Sequence, residues 1–466
     1  MLPTGLPTGL PTSLPSGLIA ALSGLSLVAP AMAGGPCPPG VGQTLTLETH
    51  SDYAHSGRSV GVSAGLLVVG AHDDDRGGIG NGSVAVYRLG PDDWRLDQQL
   101  LPPNPSVGGW FGYSVSTDSG RVLVGAPFTV VSGQAVGTAH VFRYEPGAGW
   151  IEEAELLAPT RSNDDRFGHS VALSGGIAAV GVPRDDRPGA TNSGSVMMFE
   201  RTDAGWNHTQ TIQPPTTATA EAGWSVAFDG RTLVVGAPHD DTGAPNAGRA
   251  FVYTRNDAVW TLAADLPGPQ GEPNAVFGWS VGVSGDRALV GAPDLPVAGS
   301  NARGGVFAFQ QSAGVWQSTG PLPRLNPDPD DRFGTGVAVR GERAVVGDAG
   351  SDRAWLFGAQ GPGWSDPVGL LPADEPLRFF GVSAAISDTY AVIGADRLAG
   401  AAYAMGLPCA CRADLNADGV LNFFDFAAYL GAYGTGEHSA DLALPYGVLN
   451  FFDLAVYIGL YSAGCP

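Results

Sequence analysis

Seven copies of one apolar-glycine phrase, spaced almost evenly along the chain, constrain this sequence more than any other feature. They are VVGAH at 68–72, LVGAP at 123–127, AVGVP at 179–183, VVGAP at 234–238, LVGAP at 289–293, VVGDA at 345–349 and VIGAD at 392–396. Their glycines, Gly70, Gly125, Gly181, Gly236, Gly291, Gly347 and Gly394, stand 55, 56, 55, 55, 56 and 47 residues apart. A near-constant period of this size signals a propeller or a solenoid. No copy has helical periodicity, which disfavours a helical solenoid.

Each copy divides into strands. In the second, Phe111-Gly112 leads into an alternating stretch around 114–116, Ser119-Gly120 supplies a turn, and 121–126 is apolar. After a longer loop comes a third strand with aromatic content, at 83–87, 138–142, 195–199, 249–253 and 305–309. A tryptophan then opens a fourth, more polar strand: Trp94, Trp150, Trp206, Trp260, Trp316 and Trp364. Recurrence in register makes these rings packing between blades before it makes them sugar platforms. The seventh copy, about 380–405, has no tryptophan strand, whereas 43–48 alternates ahead of the first copy. The N-terminal strand is therefore expected to complete the last blade, and closing the ring removes exposed sheet edges. With 69 Gly, 37 Pro and only 15% charged residues, the composition also favours short strands and tight turns. The expected fold class is all-β: a seven-bladed β-propeller of four-stranded blades closed by an N-terminal strand.

Residues 41–406 resemble the FG-GAP repeats that build the integrin α-subunit head and many bacterial surface proteins. Phe111-Gly112, Phe167-Gly168, Phe277-Gly278 and Phe333-Gly334 carry the resemblance, each ahead of a Gly-Ala-Pro-like triplet. The first copy has Ser56-Gly57, the fourth has Ala222-Gly223, and the last two lack the triplet's proline. The Asp-x-Asp-x-Asp-Gly calcium loop of several integrin blades is missing from every copy. Acidic runs stand there instead, at Asp73 to Asp75, Asp185-Asp186 and Asp240-Asp241, with Asp164-Asp165 and Asp330-Asp331 ahead of Phe-Gly. Calcium needs six to eight oxygens, so these residues read first as turn starters and partners of the adjacent arginine.

Signals for catalysis are few. Gly61-Val62-Ser63-Ala64-Gly65 matches a nucleophile elbow, which requires a strand-to-helix turn. Ser63 occupies the slot of Ser174 and Ser284 in other copies, so it reads as structural. The eight histidines form no H-x-x-x-H pair. The chain is accordingly expected not to be an enzyme. The alternative is an exported hydrolase or lyase acting on polysaccharide from one propeller face, and convergent buried carboxylates in a deep pocket would favour it.

After Cys411 the pattern changes. Asp414, Asn416, Asp418, Val420, Asn422 and Asp425 take positions 1, 3, 5, 7, 9 and 12 of an EF-hand-style loop, with Gly419 at the sharp turn. Phe423, Phe426 and Leu430 follow on one helical face. The phrase recurs 28 residues on, at Gly447 to Asp453. Asp at position 12 and the duplication resemble a dockerin, and the closing Gly464-Cys465-Pro466 resembles its GC-type variant. That resemblance implies a small α-helical, calcium-binding dockerin-like module over 411–466. It would attach the chain to a cohesin-like or other surface partner. The second loop offers Leu442, Leu444 and Tyr446 at positions 1, 3 and 5, so a single calcium ion is expected. Cys411 and Cys465 flank the module, and Cys37 and Cys409 flank the propeller, so each pair is expected to form a disulfide.

The same cysteines fit export. Residues 1–33 read as a signal peptide, with an apolar stretch at 17–28 and Ala31-Met32-Ala33 as the cleavage site, although the first basic side chain is Arg58. The net charge of -21 excludes a nucleic-acid partner, and no apolar run is long enough to span a membrane. The expectation is a secreted or cell-surface binding or adhesion protein whose propeller takes a protein or carbohydrate ligand.

Overall fold

A computed structural model describes residues 43–45, 53–90, 93–269, 272–296, 303–324, 327–328, 331–371, 379–396 and 400–407. The expected signal peptide, all four cysteines and the dockerin-like module lie outside the described residues. Within them every regular element is a strand, and no helix is long and apolar enough to cross a membrane.

Five four-stranded antiparallel sheets carry most of the chain. The first holds Ser56–Ser63, Leu66–Ala71, Ser83–Leu89 and Trp94–Leu100 in sequence order. Three others repeat this order for the second, third and fourth copies. The fifth joins Phe380–Ile386, Tyr390–Ala395 and Ala401–Gly406 to Gln43–Leu45. Its register, Gln43 to Ala404 and Leu45 to Ala402, makes the N-terminal strand the outer strand of the last sheet.

The sequence predicts seven separate blades; the structure has five, and the fifth and sixth copies run together as one nine-stranded sheet. Their junction is a short parallel pairing, Arg303 to Arg332 and Gly304 to Phe333. Elsewhere the same neighbours meet in single parallel bridges, such as Gly82 to Phe111 and Gly248 to Phe277. One added rung is what fuses the two sets.

Two glycines explain why the repeat phrase is so uniform. A Cβ on Gly236 would lie 2.0 Å from the carbonyl oxygen of Gly278, the Phe-Gly glycine of the next copy. Gly278 itself has φ +94, and its Cβ would meet the Arg249 carbonyl at 2.4 Å. Neighbouring inner strands thus touch backbone to backbone. The contact recurs across the closure, where a Cβ on Gly394 would lie 1.9 Å from Gly57 O. Beside it a serine hydroxyl donates to the same carbonyl, from Ser225 to Gly278 O at 2.8 Å and from Ser383 to Gly57 O at 2.8 Å.

The cores lie between sheets. Leu45, Tyr390 and Val392 of the closing sheet pack with Leu67, Val69 and Trp94 of the first. Trp94, Trp150, Trp260 and Trp316 are buried, as packing between blades requires. Gln43 adds a bond pair across the closure: its amide donates to Trp94 O at 2.8 Å and accepts from Trp94 N at 2.7 Å. Gln98 does the same for Trp150, and Gln210 for Trp260. Replacing Gln43 by Ala removes both bonds at the seam and is expected to cost about 1–2 kcal/mol. Denaturant unfolding of the full chain checks this, and an unchanged midpoint would show that the seam does not rely on the amide.

Candidate binding face

The Phe-Gly pair sits inside a tight turn that repeats round one face. The residue before it adopts a left-handed conformation, and the residue after it returns an N–H to that residue's carbonyl. His55 to Arg58, Trp110 to Tyr113, Arg166 to His169, Glu221 to Trp224, Val276 to Trp279 and Phe379 to Val382 are six such turns. The phenylalanine is buried, as at Phe111, Phe167 and Phe277, and so are the flanking His169 and Val276, whereas the flanking Trp110, Tyr113, Trp224 and Trp279 are half-buried. A left-handed non-glycine residue costs roughly 1–2 kcal/mol, and a β-branched one such as Val276, at φ +49, is a true outlier. Glycine would carry no such cost there. Side chains held in strained positions around one face are a mark of function.

Five of the trailing residues form a continuous arc. The Arg58 guanidinium donates to Tyr113 Oη at 3.2 Å and lies 5.2 Å over its ring. Tyr113 Oη is 3.3 Å from His169 Nε2, and His169 Nδ1 is 3.1 Å from Trp224 O. A carbonyl only accepts, so His169 carries its proton on Nδ1 and receives the tyrosine O–H at Nε2. Ring centroids then step 5.0, 4.5 and 4.9 Å through Tyr113, His169, Trp224 and Trp279. At the far end the Arg332 guanidinium lies 5.8 Å over Trp279. Tyr113, Trp224 and Trp279 remain half-buried, with part of each ring accessible.

Charge along the arc is fixed by burial and pairing. Desolvation, reinforced by the Arg58 charge, pushes the His169 and His72 imidazoles down to about 3, so both are neutral at physiological pH. Burial works to raise the Glu221 carboxyl, but His239 at 2.9 Å and Arg184 at 3.2 Å outweigh it and hold it ionised. Asp396 is bonded to His55 at 2.7 Å and raises that imidazole, leaving Arg58 a carboxylate only at 4.0 Å.

The acidic runs singled out in the sequence bond largely within their own loops, with Asp74 and Asp240 buried and Asp75, Asp186 and Asp241 exposed. Asp74 and Asp185 accept from Ser83 and Ser195, each at 2.6 Å. Asp75, Asp186 and Asp241 accept from the backbone of Gly80, Asn192 and Asn246 within their own loops. Pairing with the adjacent arginine holds for Asp164 and Arg166 at 3.2 Å, whereas Asp331 pairs with Arg324 at 2.6 Å. Among the described residues no group of three acidic, histidine or cysteine side chains is placed to hold a metal. Ser63 ends a strand ahead of a turn into the next strand, and its hydroxyl donates to Asp118 at 3.3 Å. That turn has no helix to make a nucleophile elbow.

One carboxylate pair is buried. Asp348 occupies the alanine slot of the triplet, 2% exposed beside Asp331 at 3%. Desolvation pushes Asp348 up to about 7, against a bond from Arg332 N at 2.6 Å, and Asp331 adds to the shift. The cavity against them holds about 10 Å³, room for little more than a water. A second cavity, beside Gly248 and Gly268, holds about 90 Å³. Both fall well below the ~300 Å³ of a typical small-molecule site.

The positions of the arc that the sequence reading did not single out are the two that flank Phe-Gly. A signal was present: within an otherwise uniform phrase they vary, and they hold Trp, Tyr, His and Arg.

Blade-like antiparallel sheets closed by the N-terminal strand, with one face built from repeated turns, define a β-propeller repeat protein. Residues 94–142, 150–199, 206–253 and 260–309 match the FG-GAP repeat. Each match begins at an outer-strand tryptophan and ends in the third strand of the next sheet or set, so the sequence unit straddles two of them. Among solved structures, the crystal structure of the Saccharomyces cerevisiae Sqt1 is similar at 10% identity, over 78% of this chain and 99% of that one, with a TM-score of 0.45.

Proposed function

We propose that this chain is an exported, non-enzymatic binding protein whose propeller takes its ligand on the face built from the Phe-Gly turns. The observation that carries this reading is the arc from Arg58 to Trp279, displayed by strained turns beside no deep cavity. Half-exposed Trp, Tyr and Arg side chains are the types that dominate binding energy at interfaces. The small cavity at Asp331 and Asp348, already engaged by Arg324 and by backbone, gives the hydrolase or lyase alternative no support. We read the nine-stranded sheet as two blades, since its fifth and sixth copies keep the glycine contact from Gly291 to Gly334; the ring then counts seven. Export rests on the N-terminal pattern, and attachment rests on the dockerin-like spacing.

The face is tested by binding of the full chain to cells of its source. Trp224→Ala together with Trp279→Ala is expected to weaken binding at least tenfold, while Val259→Ser on an exposed outer strand leaves it unchanged. Equal effects would place the ligand elsewhere.

For the attachment module, calorimetry on the full chain is expected to show one calcium site. Asp418→Ala should abolish it, and Asp453→Ala should leave it intact. Binding that survives Asp418→Ala would rule out the first loop as the ligand set.

A further inference from the structure

We infer that the ligand of the arc is an acidic glycan, whose sugar rings stack on Trp224 and Trp279 while a carboxylate docks on Arg58. This rests on the binding-face reading and names its ligand class.

The aromatic part of the argument is geometric. Consecutive rings are tilted by 52°, 46° and 46°, so they form a curved wall and not a flat plate. A pyranose presents C–H bonds to such a wall and hydroxyls to its edges. The edge groups beside it are already engaged, the Tyr113 hydroxyl by Arg58 and His169 and the His169 imidazole by Tyr113 and Trp224 O, so the ligand meets the arc from the ring side. His72, 7% exposed and packed edge-on to Tyr113 and Trp110, has an Nδ1 with no hydrogen-bond partner.

The charge follows from what stands at the two ends. Guanidinium groups cap the arc at Arg58 and Arg332, which disfavours a cationic ligand. Arg332 is neutralised by Asp294 at 3.0 Å. Arg58 is held more loosely: Asp396 pairs with it at 4.0 Å while bonding His55 at 2.7 Å. Among the described residues, Asp73 acts on His55 and Glu221 is bound by Arg184 and His239. Arg58 thus keeps donors and charge for a carboxylate, with its side chain 28% exposed. The chain carries 24 basic residues against 45 acidic ones, so a loosely paired arginine at the end of the arc is a local exception. Repulsion by the rest of the molecule is screened beyond ~8 Å at physiological salt, which leaves this short-range match to decide. A peptide acidic through Asp and Glu alone shares the carboxylate but offers no ring to stack, which favours the glycan over such a sequence.

The test is an array of uronate-bearing and neutral oligosaccharides, with polyglutamate as the peptide control, probed with the full chain at physiological salt. Uronate oligosaccharides are expected to bind. Arg58→Gln, whose amide still reaches Tyr113, should weaken them at least tenfold, and Arg58→Lys should restore part of the loss. Trp224→Ala should weaken them similarly, with Trp279→Ala as the second variant should the first fail to fold. Neutral glycans bound as tightly and indifferent to Arg58→Gln would overturn the carboxylate. Polyglutamate bound as tightly and indifferent to Trp224→Ala would overturn the sugar. If no acidic glycan binds while the face variants still lose source cells, the glycan fails and the binding face stands. Should those variants lose nothing anywhere, both readings fail.

Discussion

Gly236→Ala is expected to destabilise the full chain by at least about 3 kcal/mol, although it adds one methyl group. The new Cβ would stand 2.0 Å from Gly278 O and 2.3 Å from the Ser225 hydroxyl. Neither can retreat, because the carbonyl belongs to a turn fixed by its own backbone bonds and the hydroxyl donates to that carbonyl. Relief requires the two inner strands to part, and that opens the core between their sheets, where Val234 packs against Phe277 and Val290. Overpacking of this kind exceeds the loss from strain alone. Gly120→Ala supplies the contrast: its φ is +73 but nothing lies within 4 Å, so about 1 kcal/mol is expected. Thermal or denaturant unfolding of both variants checks the pair. Equal small losses would mean that the inner strands are not in backbone contact.

Asp348→Asn is expected to stabilise the protein at pH 8 by roughly 2–4 kcal/mol and to change little at pH 4. The unfolded chain releases this proton near the ordinary carboxyl value of 3.8, whereas the folded one keeps it to about 7. Between those values the native state binds the extra proton, so wild-type stability falls as pH rises through the window and levels off above it. Asparagine removes the slope while its carbonyl oxygen still accepts from Arg332 N. Asp331, buried alongside and paired with Arg324, adds its charge to the upward shift of Asp348. Unfolding midpoints from pH 4 to pH 8 provide the measurement. A wild-type midpoint flat across that range would show that Asp348 ionises normally.

Much of the fold was legible because it rests on backbone constraints that only glycine satisfies. Gly236 and Gly278 are set by close approach, so their period exposed the repeat and its strands. The closing strand was legible too, since the last copy lacked a tryptophan strand and Gln43–Leu45 takes its place beside Ala401–Gly406. Fusion of the fifth and sixth copies was not, because one additional rung at Arg303 and Arg332 leaves no mark in residue type. The acidic runs were legible as turn formers, but their partners were not. Asp74 and Asp75 were visible as charge, but their partners, Ser83 and the Gly80 amide, come from the other end of the loop. The arc was harder still. Arg58, Tyr113, His169, Trp224 and Trp279 are about 55 residues apart, and only closure of the repeats makes them neighbours.

Hydrogen exchange on the full chain, with and without the bound source-cell ligand, tests the binding face most directly. Protection is expected at residues 55–58, 110–113, 166–169, 221–224 and 276–279, the turns that present the arc. Protection confined to outer strands such as Gly205–Ile212 or Val259–Pro267 would contradict it.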